Sequence, residues 1–194
     1  MFDFNPDRIA YLEAAGWRAY YDRAWLRLLR LTVNICQEQF AIPFPQSLLA
    51  AYYVTRGAVA WAPVEHDEDE VRRWYVRFYR LARRYSSLQF DPLRAGRLEV
   101  QYWIDHRRLI GNDDKSPFID SMTALHAELF DLPPEKVRES AELRVEANNT
   151  VDLITSHRST DEEADWARLE DQLRRCYRSI YLGLNGKSFT PASA

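Results

Sequence analysis

Three side chains able to do acid–base or metal chemistry lie at helical spacing in one segment: Glu99, Tyr102 and His106. Seven helical residues turn through about 700°, so Glu99 and His106 project from nearly the same side, roughly 10.5 Å apart along the axis. Leu98 shares this face with Tyr102. A carboxylate and an imidazole among apolar neighbours must be paired, neutralised or bound to a metal, because an unpaired buried charge is costly. The pattern predicts a polar site in which Glu99 and His106 are metal ligands or an acid–base pair, with Tyr102 as a proton donor.

A divalent metal held by Glu99 and His106 would need ligands from other helices. The sequence offers Glu38, in register with the apolar positions of an earlier helix, and Asp152 in a later one. Further candidates are Glu142, His126 and His157. Helical di-iron sites use Glu-x-x-His pairs from two helices, and the chain contains no such pair. The Glu99–His106 spacing is similar to one part of the ligand pattern of oxygenases with a haem-oxygenase-like fold, but the rest of that pattern is missing. The alternative to a metal is a hydrogen-bonded Glu, Tyr and His network.

Arg56 interrupts the most apolar segment of the chain, residues 47–62. A guanidinium keeps its charge in a protein, so Arg56 must reach solvent along its stem, pair with a carboxylate or bind an anionic ligand. A buried Arg56 would pair with Glu38, Glu99 or Glu142. The sequence therefore predicts either an ion pair between helices or a clamp for a ligand carboxylate or phosphate.

Two adjacent asparagines, Asn148 and Asn149, stand in the segment that also carries Asp152. Asparagine is a poor helix former, so something other than helix propensity keeps both residues there. The alternatives are the polar floor of a pocket and a solvated helix face.

The elements that must position these residues are helices. Most of the nine prolines stand where a helix would begin, often after a small polar residue, as in Asn5-Pro6 and Asp91-Pro92. Between these marks the apolar spacing is three and four. Helices are expected at 17–40, 47–62, 67–87, 91–110, 117–130, 134–157 and 161–184, and residues 6–15 are expected to form a separate short helix before Gly16. The segment 47–62 is almost uncharged and is expected to be the central helix.

The fold class is therefore all-α: a compact single-domain bundle of about seven helices over residues 1–185, followed by a frayed tail at 186–194. The net charge of −3 argues against a nucleic-acid partner, and no apolar run approaches the length that spans a membrane. The N-terminus lacks a secretory signal pattern, and two cysteines are too few for a disulfide framework. A cytoplasmic protein is expected.

The function favoured by these patterns is the binding of a small ligand, with or without a metal ion, in a pocket between helices. Its expected lining is Arg56, Glu99, Tyr102 and His106, and the expected metal ligands are Glu99, His106, Glu38 and Asp152. The sequence leaves open whether the protein is an enzyme. Its 26 aromatic residues exceed what the core stripes need. The alternative is therefore a non-catalytic homo-oligomeric scaffold, such as a homodimer, whose interface uses the surplus.

Overall fold

A computed structural model describes residues 3–190, and this part of the chain forms eight α-helices joined by short connections. The helices are α1 (Pro6–Tyr21), α2 (Trp25–Phe40), α3 (Gln46–Trp61), α4 (Glu68–Tyr85), α5 (Pro92–Arg108), α6 (Ser116–Phe130), α7 (Pro134–Thr155) and α8 (Glu162–Asn185). The predicted all-α class is confirmed. Within residues 3–190, no helix is long and apolar enough to cross a membrane.

The boundary between the first two helices differs from the prediction. α1 runs through Gly16 to Tyr21, and the chain turns at Arg23, whose φ of 56° is left-handed. Gly16 is buried inside this helix, and the Leu28 side chain of α2 lies next to it. The sequence hides this break because the apolar positions before and after the turn remain in helical phase. The prediction of a single helix over 17–40 is therefore wrong.

The eight helices form a closed ring. Each helix packs chiefly against the helices before and after it in the chain, and α8 packs against α1. Helix axes pack about 8–10 Å apart, so a regular ring of eight has a radius of roughly 10–13 Å. After the helix backbones are accommodated, a wide central space remains. Large side chains pointing inward must fill this space, which accounts for much of the aromatic surplus.

The prediction that residues 47–62 form the central helix is wrong. α3 packs against α2 and α4 only as one member of the ring, and its outer face carries large apolar side chains beside the exposed Arg56. Four large side chains on this face are between 37% and 45% exposed: Leu48, Leu49, Tyr52 and Val59. A helix with apolar side chains on both its inner and its outer side has few charged residues. In sequence it therefore resembles a helix that is buried on every side.

The last helix ends at Asn185, where Gly186 adopts a left-handed C-cap with φ of 66°. The predicted domain bounds of 1–185 stay a prediction. The predicted frayed tail is not wholly loose, because the Phe189 ring packs edge-on against Tyr181 with centroids 5.4 Å apart. The remainder of that tail, residues 191–194, lies outside the described residues.

Candidate functional site

A cavity of about 520 Å³ lies inside the ring, and side chains from all eight helices line it. Ligand pockets have volumes of about 300–1,000 Å³, whereas packed protein interiors leave few voids larger than a water molecule. Many aromatic side chains line the cavity: Trp17, Tyr20, Tyr21, Trp25, Phe40, Trp61, Tyr75, Phe78, Tyr79, Tyr102, Trp103, Phe130 and Tyr177. Polar and charged side chains also line it, among them Glu13, Glu99, His106, Arg144, Asn148 and Asp152. Apolar walls together with polar groups that can orient a ligand are typical of a small-molecule site.

Glu99 is the acidic group among the aromatic walls. Its carboxylate accepts hydrogen bonds from the Tyr79 hydroxyl at 2.7 Å and from the Trp103 indole N–H at 3.1 Å. Burial raises the pKa of Glu99 above its ordinary value, and the two hydrogen bonds oppose that rise. Glu99 is thus held in place by two neutral donors on α4 and α5.

His106 and Asp152 form a pair between α5 and α7. The His106 Nε2 lies 3.0 Å from Asp152 Oδ1 and 3.2 Å from Oδ2. The fully buried Phe118 ring stacks on His106 at 5.2 Å and on Tyr102 at 5.6 Å, with interplanar angles of 12° and 13°. Phe118 therefore fixes the two polar rings of α5 side by side.

Arg144 and Glu13 form an ion pair across the cavity wall that the sequence analysis did not single out. Both terminal nitrogens of Arg144 donate hydrogen bonds to the Glu13 carboxylate, and the bond from Nη1 to Oε2 is 2.6 Å long. The Tyr177 hydroxyl donates a further hydrogen bond to Glu13 Oε2, also at 2.6 Å. The two charged side chains are only 12% and 13% exposed. The Arg144 guanidinium also lies over the Trp17 ring, 5.0 Å from its centroid. The two parallel hydrogen bonds to Glu13 and the face of the Trp17 ring together compensate most of the charge of this buried guanidinium.

Tyr102 and Asn148 join α5 to the backbone of α7 next to this ion pair. The Tyr102 hydroxyl donates to Asn148 Oδ1 at 3.4 Å, and the Asn148 amide donates to the Arg144 carbonyl at 2.9 Å. Asn148 is buried and lines the cavity, whereas Asn149 is exposed. Of the two alternatives for these asparagines, the polar pocket lining describes Asn148 and the solvated helix face describes Asn149.

The residues expected to converge do so only in part. Glu99, Tyr102, His106 and Asp152 line the cavity, but Arg56 and Glu38 do not. Arg56 is exposed on α3, where it lies over the Trp74 ring and 3.9 Å from Glu70. Its long stem carries the charge outward, so the expected anion clamp is not part of this cavity.

Glu38 has a structural partner elsewhere. Its carboxylate accepts from the backbone N–H of Asn5 at 3.0 Å and pairs with Arg8 at 3.2 Å. A negative group near the first turn of α1 stabilises that helix. Of the other candidates, Glu142 and His157 are exposed.

The expected metal ligands do not form a ligand set. In the part of the chain from 3 to 190, no three His, Cys, Asp or Glu side chains are grouped closely enough to hold a metal ion. Glu99 is engaged by Tyr79 and Trp103, and His106 by Asp152. These separate partners favour the hydrogen-bonded network that the sequence offered as the alternative.

Three further groups of the cavity wall or core are poorly suited to reaction. Burial raises the pKa of Cys36 and of Cys176 to about 12 each, so both thiols stay protonated near neutral pH. Burial lowers the pKa of His126 to about 3, and its Nδ1 lies 2.8 Å from the Ser140 hydroxyl. His126 is therefore a neutral core histidine.

The cavity reaches the surface at one end of the ring. Tyr21 and Ile110, at the ends of α1 and α5, line it and are 40% and 53% exposed. Ala62 and Thr155, at the ends of α3 and α7, also line it. Helix C-termini carry a partial negative charge from their unpaired carbonyls. At this mouth, Arg107 already donates to the Trp61 carbonyl at 2.9 Å.

Comparisons of the chain with protein-family models, with curated proteins and with solved structures find no match. The chemistry of the cavity is therefore the basis for proposing a function.

Proposed function

We propose that this protein binds a small, largely apolar organic molecule in the cavity inside the helix ring. The observation that carries this proposal is the cavity itself, about 520 Å³ in volume and bordered by Glu99, by the His106–Asp152 pair and by the Arg144–Glu13 pair. Aromatic walls provide contact area, and the polar groups can orient a ligand. The proposal needs no metal ion and no catalytic step.

The neutral apolar dye N-phenylnaphthylamine tests this proposal, since its fluorescence rises when it leaves water. We expect saturable binding of one dye per chain. Ala58 lines the cavity, whereas its neighbour Val59 is 37% exposed on the outer face of α3. Ala58→Phe should weaken dye binding about tenfold or more by occupying the cavity, and Val59→Phe should leave it within about twofold.

The dye experiment can contradict the proposal in two ways. Absence of saturable binding to the folded wild-type protein would exclude a ligand site of this kind. Equal dye affinity in the Ala58→Phe and Val59→Phe variants, both shown to be folded by near-ultraviolet circular dichroism, would place the dye outside the cavity.

A second candidate function is self-association through the outer face of α3. The observation that favours it is the apolar stripe of Leu48, Leu49, Tyr52 and Val59, which faces away from the ring. Large apolar side chains exposed together on one helix face mark protein contacts more often than scattered single side chains do. A dimer would bury the stripe against the same stripe of a second copy.

Sedimentation at micromolar concentration tests this second candidate. We expect the wild-type protein to sediment as a dimer and Leu49→Asp to sediment as a monomer, because a buried carboxylate in an apolar interface is unfavourable. Leu26→Asp is the control, since Leu26 is 84% exposed and belongs to another helix, α2. A monomeric wild-type protein, or a dimer that survives Leu49→Asp, would reject this interface.

A further inference from the structure

The buried charges around the cavity are not equally compensated. Arg144 forms an ion pair with Glu13, and Asp152 shares a hydrogen bond with His106. Over residues 3–190, Glu99 makes no ion pair within 4.0 Å with a basic side chain, and its two hydrogen-bond donors are neutral. A buried carboxylate is normally neutralised or matched by a cation. Glu99 is therefore the acid of this cavity with capacity for a positively charged partner.

The two hydrogen-bond donors of Glu99 belong to a cluster of aromatic rings. Its donors Tyr79 and Trp103 both contact Tyr75, with ring centroids 6.4 Å and 5.2 Å apart. Trp61 lies against Trp103 at 5.5 Å. The electron-rich faces of Trp and Tyr attract cations, and a carboxylate within an aromatic cluster is a recurrent way of recognising ammonium groups.

The remaining basic groups that line the cavity leave this position open. Arg107 is bound to the Trp61 carbonyl, and its guanidinium lies 4.1 Å from the centre of the Trp61 ring. Arg23 is exposed at the turn between α1 and α2. Both arginines belong to the mouth, where the negative ends of α1, α3, α5 and α7 offset their charge. The charge of Arg144 acts on Glu99 from a distance and opposes the rise of its pKa, but the Arg144 guanidinium is hydrogen-bonded to Glu13 and makes no ion pair with Glu99.

We infer that the ligand of this cavity is an organic ammonium ion, whose charged nitrogen is held by Glu99 and whose apolar body lies against the aromatic walls. This inference rests on the proposed function and adds the charge of the ligand and the residue that recognises it. It requires no chemical step: the ammonium group donates to the free lone pairs of the Glu99 carboxylate, which keeps its bonds to Tyr79 and Trp103.

Three probes with the same naphthalene body separate charge from shape: naphthylmethylamine, naphthalenemethanol and naphthoic acid, titrated calorimetrically near neutral pH. The amine is cationic, the alcohol neutral and the acid anionic. Both the alcohol and the amine can donate a hydrogen bond to the carboxylate, but only the amine adds a positive charge, so we expect the amine to bind at least about tenfold more tightly than the alcohol. The acid should bind more weakly than the alcohol.

Glu99→Gln removes the charge and keeps the size and an acceptor for Tyr79 or Trp103. The amine should then bind no more tightly than the alcohol, while the affinity of the alcohol stays within about threefold. Glu142→Gln is the matched control, because Glu142 is exposed on α7. This variant should keep the preference for the amine.

The outcomes distinguish this inference from the proposal on which it rests. If wild-type protein binds the alcohol or the acid as tightly as the amine, the charge inference is wrong and the small-molecule site stands. That comparison needs no variant, so it holds even if Glu99→Gln fails to fold. A preference for the amine that survives in folded Glu99→Gln protein also rejects the role of Glu99. If neither the dye nor any naphthalene probe binds, the proposed function itself is rejected.

Discussion

Arg144→Met is expected to lower the free energy of unfolding by about 3–5 kcal/mol, because it leaves the buried Glu13 carboxylate without its cation. The two side chains are 12% and 13% exposed and share two hydrogen bonds, so water cannot replace the lost partner easily. Methionine keeps much of the length and apolar volume of arginine. The loss should therefore come from the charge and the hydrogen bonds. Urea denaturation near neutral pH measures it.

The control for this result is Arg138→Met on the same helix. Arg138 is 44% exposed and pairs with Asp120 and Glu142 at the surface, where an ion pair contributes about 0–1 kcal/mol. Adding Glu13→Leu to Arg144→Met should restore part of the stability, because the orphaned charge is removed. An Arg144→Met loss no larger than that of Arg138→Met would show that the pair is not part of the buried framework.

The second large effect is expected at Phe118, which has no exposed surface and stacks on both Tyr102 and His106. Phe118→Ala should lower the free energy of unfolding by about 3–5 kcal/mol, through lost burial and the cavity left behind. The two polar rings should also lose their fixed orientation. The nitrogen chemical shifts of the His106 imidazole, recorded by NMR, report this second effect.

Phe44→Ala is the matched control, since Phe44 is 69% exposed. It should change the free energy of unfolding by no more than about 0.5 kcal/mol. A Phe118→Ala variant with near wild-type stability and unchanged His106 shifts would contradict the role assigned to this ring.

The helices could be predicted because their signals are local. Proline at the first turn after Asn5 or Asp91, and apolar spacing of three and four, depend on neighbours within one helix. The break at Arg23 was missed since the apolar stripe stays in phase across it. The position of α3 was missed because an apolar outer face and a buried face look alike in composition.

The cavity residues that lie on one helix could be predicted from the sequence, whereas pairs formed between different helices could not. The spacing of Glu99, Tyr102 and His106 placed all three on the inner face of α5, where they line the cavity. Glu13 and Arg144 are 131 residues apart in the chain, and each alone resembles an ordinary solvated charge. The one local feature that could have predicted their burial is that each lies among the apolar positions of its helix. Only the closure of the ring, with α8 packed against α1, brings such residues together.

The most direct test of the small-molecule site uses the two methionines of the chain. Met122 is 1% exposed and lines the cavity, whereas Met1 lies outside the described residues. In protein labelled with ¹³C at the methionine methyl groups, bound N-phenylnaphthylamine should shift the Met122 resonance and give intermolecular nuclear Overhauser effects to it. Saturating dye that leaves the Met122 resonance unshifted and without such effects would contradict a ligand site inside the ring.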